Sequence, residues 1–251
     1  MHEALADPAD TAASLQARVA IATSSVLRTA AGISDQQARE PSLLPGWSRG
    51  HVLTHIARNA DSLRNLLIWA RSGVVTPQYR SAEARDLDIE AGHSRPTDEL
   101  VTDMAESAAG LADEAALLAD ADWGVEVEGL RGPPHPAWFT LWRRLSEVEI
   151  HHVDLDAGYR PSDWPTAFTT QCIERVVGNF CDPDCPPTFL RSSDAAQRGD
   201  HDQYRIGPPD VKPAQTVTGP SSLLLAWLIG RSSGSELTAD PPGPLPALPP
   251  W

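Results

Sequence analysis

The sequence predicts a mainly α protein, a four-helix bundle followed by a small α+β domain. Three observations carry this. Long stretches with apolar residues at three- and four-residue spacing fill the first two thirds of the chain. A break rich in Gly and Pro falls near Gly158 to Trp164. Beyond it, short β-like runs and one compact apolar helix replace the long helices. The predicted domains are residues 1–160 and 161–251.

Residues 10–32 read as the first helix, with Leu15, Val19, Ala22, Val26 and Ala30 on one face and Gly32 as its stop. A polar linker and the breaker pair Pro45–Gly46 follow. Ser48 is placed to cap a second helix that runs to about Arg71. That helix carries Val52, His55, Ile56, Asn59, Leu63, Leu66, Leu67 and Ala70, and Gly73 ends it. Residues 74–96 read as a loop with a short helix around Ser81 to Gly92. Thr97 to Asp120 read as a third long helix with Thr97 as N-cap. WGVEVEG is a short extended segment, RGPPHPA a turn, and Thr140 to Tyr159 the fourth long helix. The long connection between the second and third helices suits a crossed or up-up-down-down arrangement rather than a meander. After the break come a helix over Thr166 to Cys181 and β-like runs at PTFLRSS, QYRIG and AQTVTG. Pro220 to Arg231 is an apolar helix with Pro in its first turn. The Pro-rich tail is extended.

The net charge of -14 argues against binding nucleic acid, which needs a basic face. No run of about 18 apolar residues is present to span a membrane. The acidic N-terminus lacks the apolar segment of a signal peptide, so a cytoplasmic protein is expected. Three Cys, an odd count, speak against a disulfide framework. Cys181 and Cys185 have the spacing of two metal ligands but lack a second pair, and free thiols are expected.

Candidate chemistry concentrates in Thr140 to Tyr159, TLWRRLSEVEIHHVDLDAGY, which holds two Glu, two His and two Asp. Glu147 and His151 lie four apart on one helical face; Glu149 and His152 lie three apart on another. A Glu and a His one turn apart can offer two ligands to one metal. Spacing leaves both pairs open, and the apolar stripe Leu141, Leu145, Val148, His152 and Leu155 points to burial of the second. Glu147 is also read as a solvated charge paired with Arg143 or Arg144. The third ligand must come from the second helix, where His51 and His55 share a face; His55, beside Ile56 and Asn59, is favoured. Asp154, three residues beyond His151, is placed to hold that ring's other nitrogen.

LLPGWSRGHVLTHIARNADSLRNLLIWA, TPQYRSAEARDLDIEAG, TLWRRLSEVEIHHVDLDAG, LLLAWLIGRSSG and a terminal PPW resemble, in this order, the mycothiol-dependent maleylpyruvate isomerase family of the DinB-like metal-binding bundle superfamily. The resemblance implies Zn2+ or another divalent metal on His55, Glu147 and His151, which decides between the two pairs. It implies mycothiol as a second cofactor and Arg231 as a catalytic donor. Asn59 and Arg85 are candidates for holding the thiol or substrate. The implied reaction turns maleylpyruvate into its fumaryl isomer by thiolate addition, bond rotation and elimination. All three Cys lie in the second domain, so the thiol is a bound small molecule, which the resemblance names as mycothiol. The partners implied are that small-molecule thiol and a dicarboxylate-like substrate. Two alternatives fit the same residues: a mycothiol S-transferase acting on another electrophile, and a non-catalytic metal- or ligand-binding protein.

Overall fold

Amphipathic helices bury their apolar stripes on one another in the first of two units, Met1–Tyr159 and Arg160–Trp251. The computed structural model describes residues 8–180, 185–199 and 201–249. The bundle consists of α1 (Pro8–Ala30), α3 (Arg49–Ser72), α5 (Thr97–Ala115) and α6 (Ala137–Asp154), with shorter α2 (Asp35–Arg39) and α4 (Ala82–Gly92) between them. α3 packs against α5 and α6, and α1 against α6 and α5. Helices α1 and α3, consecutive among the long ones, therefore occupy opposite corners, and the expected crossed circuit is what forms. Leu53, Ile56, Leu63, Leu66 and Leu67 of α3 meet Leu100 and Met104 of α5 and Leu141, Leu145 and Val148 of α6, all at most 2% exposed. Each such side chain contributes about 1.5–3 kcal/mol relative to remaining in water.

Local signals set most boundaries. Ser48 caps α3 in a reciprocal box with His51, and Gly73, at φ 71, closes it. Ser81 caps α4 through Ala84 N–H. Several boundaries differ from the sequence expectation, among them that of α6, expected over Thr140 to Tyr159. The polar linker contains α2, capped by Ser34 and Gln37. Thr97 lies inside α5 rather than at its cap. Its backbone N–H donates to Asp35 Oδ1 at 2.8 Å, so a residue of α2 serves the orphan donor that a local cap would have taken. α5 ends at Ala115, and the chain turns through a 3-10 segment, Asp120–Gly124, that takes up part of the expected extended run. Only Glu126–Val127 (β1) is extended there, paired with His135–Pro136 (β2). α6 begins at Ala137, behind Pro136, and stops at Asp154.

The second unit is a small α+β fold. α7 (Thr166–Gly178) and α9 (Ser221–Leu228) pack on each other and against a four-stranded sheet of order β4-β3-β5-β6. Its strands are β3 (Thr188–Ser192), β4 (Gln203–Ile206), β5 (Gln215–Gly219) and β6 (Thr238–Asp240), with the turn α8 (Ala195–Arg198) after β3. β3 and β5 run parallel, and the other pairs antiparallel. β6 was not foreseen ahead of the Pro-rich tail. Pro220 precedes α9 as its N-cap rather than standing in its first turn, and the helix ends at Leu228. Asp194 joins the unit's parts: it accepts from Ser192 Oγ at 2.7 Å, Ser221 N at 2.8 Å and Arg198 Nη1 at 2.7 Å.

Cys172 and Cys185 are buried, and burial pushes the Cys172 thiol up to about 12. α7 ends at Gly178, with Asn179 as its C-cap, short of the expected Cys181; Cys181 itself and the last two residues of the terminal PPW lie outside the described residues. No helix among the described residues is long and apolar enough to cross a membrane.

Candidate metal centre

Because α3 and α6 lie side by side, His55 on one faces Glu147 and His151 on the other. His55 Nε2 lies 2.9 Å from Glu147 Oε2 and 3.1 Å from His151 Nε2, and the last two atoms are 3.3 Å apart. The two imidazole planes are nearly perpendicular, at 89°. Three ligand atoms thus converge on one point. Tetrahedral Zn2+ with bonds of 2.0–2.1 Å separates its ligand atoms by about 3.3 Å, so the triangle fits such an ion after an opening of a few tenths of an ångström. The donor set, two imidazoles and one carboxylate, leaves coordination positions open.

The surroundings orient these groups. Asp154, fully buried, sits 2.8 Å from His151 Nδ1, which leaves Nε2 to face the triangle. Burial works against a charge on His151, but Asp154 and Glu147 outweigh it and raise its pKa to about 9. For His55, burial and the neighbouring His151 charge dominate, and its pKa falls to about 4. Burial would raise Glu147, yet hydrogen bonds from His151 and His55 hold it well below the usual carboxylate range. The site therefore keeps a carboxylate and one neutral imidazole at neutral pH, the forms that bind metal.

The competing pair does something else. Glu149 and His152 are 3% and 1% exposed. His152 Nε2 lies 2.7 Å from Thr29 Oγ1 of α1 and its ring stacks on Tyr159. The Tyr159 hydroxyl donates to Glu149 Oε2 at 2.6 Å. The apolar stripe thus identified the buried face, while Glu147 and His151 line a partly open one, with side chains 31% and 15% exposed. His51 stands apart from the triangle; its ring faces Glu90 and His93.

The open face is one wall of a cleft of about 240 Å³. Arg85 of α4 lines it and reaches Nδ1 of His55 at 3.4 Å. Asn59 lines it too, but its Oδ1 accepts from Arg144 Nη1 at 2.9 Å. Arg144 is 1% exposed and also donates to Ile56 O at 2.7 Å, so it is a core residue rather than an ion-pair partner of Glu147. Burial pulls its pKa down to about 10. Arg231 belongs to the second unit, where it follows α9 and donates from Nη1 to Ile229 O at 2.9 Å.

Gln78, Tyr79 and Arg131 of the cleft had no role in the sequence reading, and Arg143 stood there only as an ion-pair partner of Glu147. Arg143 precedes Glu147 by one turn of α6. Gln78, 5% exposed, is the joint of this wall. Its Oε1 accepts from Leu130 N at 2.8 Å and Arg143 Nη2 at 3.3 Å, and its Nε2 donates to Ser62 Oγ at 3.2 Å. One amide thereby fastens the loop before α4 and the loop after β1 to α3 and α6. No periodicity marks such a residue. With Arg85, Arg131 and Arg143 against Glu147 and Asp86, the cleft is cationic in a strongly acidic chain.

The family described as the mycothiol maleylpyruvate isomerase N-terminal domain matches residues 19–156, and its C-terminal domain matches residues 163–250. Two solved chains match with TM-scores of 0.86 at 27% identity, covering 96% of this chain and 97% of theirs. One is described as the crystal structure of the mycothiol-dependent maleylpyruvate isomerase, the other as that of a histidine-to-alanine mutant of it. Comparison with curated proteins finds no match.

Proposed function

The chain belongs to the mycothiol maleylpyruvate isomerase family, and from that premise we propose that it is a mycothiol-dependent cis-trans isomerase of the maleylpyruvate type, with a divalent metal on His55, Glu147 and His151. The observation that carries the reading is the convergence of these three ligand atoms within 3.3 Å at the wall of a cationic cleft.

When bound, the ion would lower the pKa of a thiol and keep it as thiolate near neutral pH. The thiol, when bound, would supply reversible addition to the alkene, the chemistry by which a cis double bond becomes trans. The chain's own residues supply the rest. Asp154 fixes the His151 ring. Arg85 and Arg143 are the proposed anchors for substrate carboxylates, with bidentate donors suited to them. Asn59, braced by Arg144, shapes the wall behind the ligands. Arg231 remains the proposed donor to the developing enolate oxygen. Burial of Cys172 and Cys185 supports an external thiol as the nucleophile.

The test is direct. Zn2+-loaded protein is mixed with mycothiol and maleylpyruvate, and the enedione absorbance is followed. Turnover that needs the thiol and disappears in His55→Ala supports the reading. Absence of turnover with a metal-loaded, folded protein removes the isomerase assignment; mycothiol conjugation to another electrophile by that protein would point to the transferase.

A further inference from the structure

We propose that His51, Glu90 and His93 form a second divalent-cation site, separate from the first centre and built where the start of α3 meets the end of α4. Their ligand atoms all lie within 4.8 Å of one another. His51 Nε2 is 3.3 Å from Glu90 Oε2, and His93 Nε2 is 3.5 Å from Glu90 Oε1, so one carboxylate gathers both imidazoles. The rings lie face to face, with centroids 3.7 Å apart and planes 14° from parallel.

The fold brings these residues together through two close backbone approaches. A Cβ at Gly50, next to His51, would collide with the carbonyl oxygen of His93, and one at Gly92 would meet the Thr54 side chain. The glycines let the end of α4 lie directly on α3, which sets His93 over His51. His51 also has a partner suited to the ligand tautomer. Ser48 Oγ lies 2.7 Å from Nδ1. With an ion on Nε2, Nδ1 carries the proton and donates it to that oxygen, the arrangement metal-bound histidines adopt. The capping contact from Ser48 N to Nδ1, at 3.1 Å, is exchanged for it.

Closing both nitrogens onto one ion requires the His93 ring to turn out of the stack. Its side chain is 28% exposed at the C-cap of α4, which leaves room for the turn. A groove lined by Trp47, Ser48, His51 and His93 gives solvent access. Two imidazoles and a carboxylate select Zn2+, Ni2+ or Co2+ over Ca2+ or Mg2+. An ion here would staple α4, which carries Arg85 into the cleft, onto α3.

The site is tested by counting Zn2+ bound in equilibrium titrations. The wild-type chain is expected to take two equivalents and the His93→Ala variant one, with thiol-dependent turnover retained. The His55→Ala/His151→Ala double variant is expected to keep one equivalent and to lose it on adding His93→Ala. One equivalent in the wild-type chain, or a count that His93→Ala leaves unchanged, overturns the proposal. The first outcome leaves the His55 centre intact. If the double variant does not fold, the comparison of wild type with His93→Ala decides alone.

Discussion

Asp154 Oδ2 lies 2.8 Å from His151 Nδ1, and the carboxylate is fully buried one turn beyond the ring it holds. Asp154→Asn keeps the shape but can present an N–H to Nδ1, which favours the opposite tautomer. Affinity for Zn2+ should fall about 10–100-fold. Competition against a chromophoric chelator measures it, and unchanged affinity would remove the orienting role.

Metal removal should act on stability as well as turnover. Binding to the folded state alone stabilises by mass action. Zn2+ in excess should therefore raise the Tm of the bundle, and His55→Ala should reduce that rise. A rise that survives both His55→Ala and His93→Ala would locate the ion elsewhere.

Gln78→Leu removes the acceptor of Leu130 N–H and the brace of Arg143 while retaining most of the volume. If Arg143 anchors a carboxylate, loss of its orientation should raise KM about tenfold, within the range of one charge-assisted hydrogen bond. Arg143→Met should do at least as much. A fall in kcat with KM unchanged would argue against the anchoring role.

Asn59→Ala leaves a buried guanidinium nitrogen with one fewer acceptor. The expected cost is about 1–3 kcal/mol of bundle stability, read by denaturant unfolding. A near-neutral substitution would show that Ile56 O alone satisfies Arg144.

The second unit should be acid-sensitive through Asp194. Burial opposes its charge, but bonds from Ser192, Arg198 and Ser221 hold its pKa far below the ordinary value of about 4. Its contribution is therefore complete above about pH 4 and is lost as pH falls further toward the folded-state pKa. In Asp194→Asn, the Tm of this unit should fall at neutral pH and depend less on pH between about 5 and 2. Parallel pH profiles for variant and wild type would contradict this.

Much of the fold was legible because its determinants are local. Ser48, Ser81 and Gly73 act within a turn of their own positions, and the apolar stripes act within their own helices. Thr97 was misread because its donor is served by Asp35, 62 residues away in sequence. In the centre, helical spacing placed Glu147 and His151 on one face but could not rank them against Glu149 and His152. Periodicity reports burial, and a cleft wall is only partly buried. The resemblance made the choice, and the convergence with His55 is consistent with it. The task of Gln78, and its hold on Arg143, were illegible because these contacts join four separate segments.

Arg144 has one further consequence. Its guanidinium fastens α6 to the backbone of α3 and to Asn59, so the wall behind the triangle is continuous with the hydrophobic core. Substitutions there would disturb folding before they altered selectivity. Arg85 and Arg131, by contrast, stand on a short helix and a loop that border the same cleft. Adaptation to new electrophiles, by evolution or in the laboratory, should accumulate on that side, with the chemistry of the opposite wall held fixed.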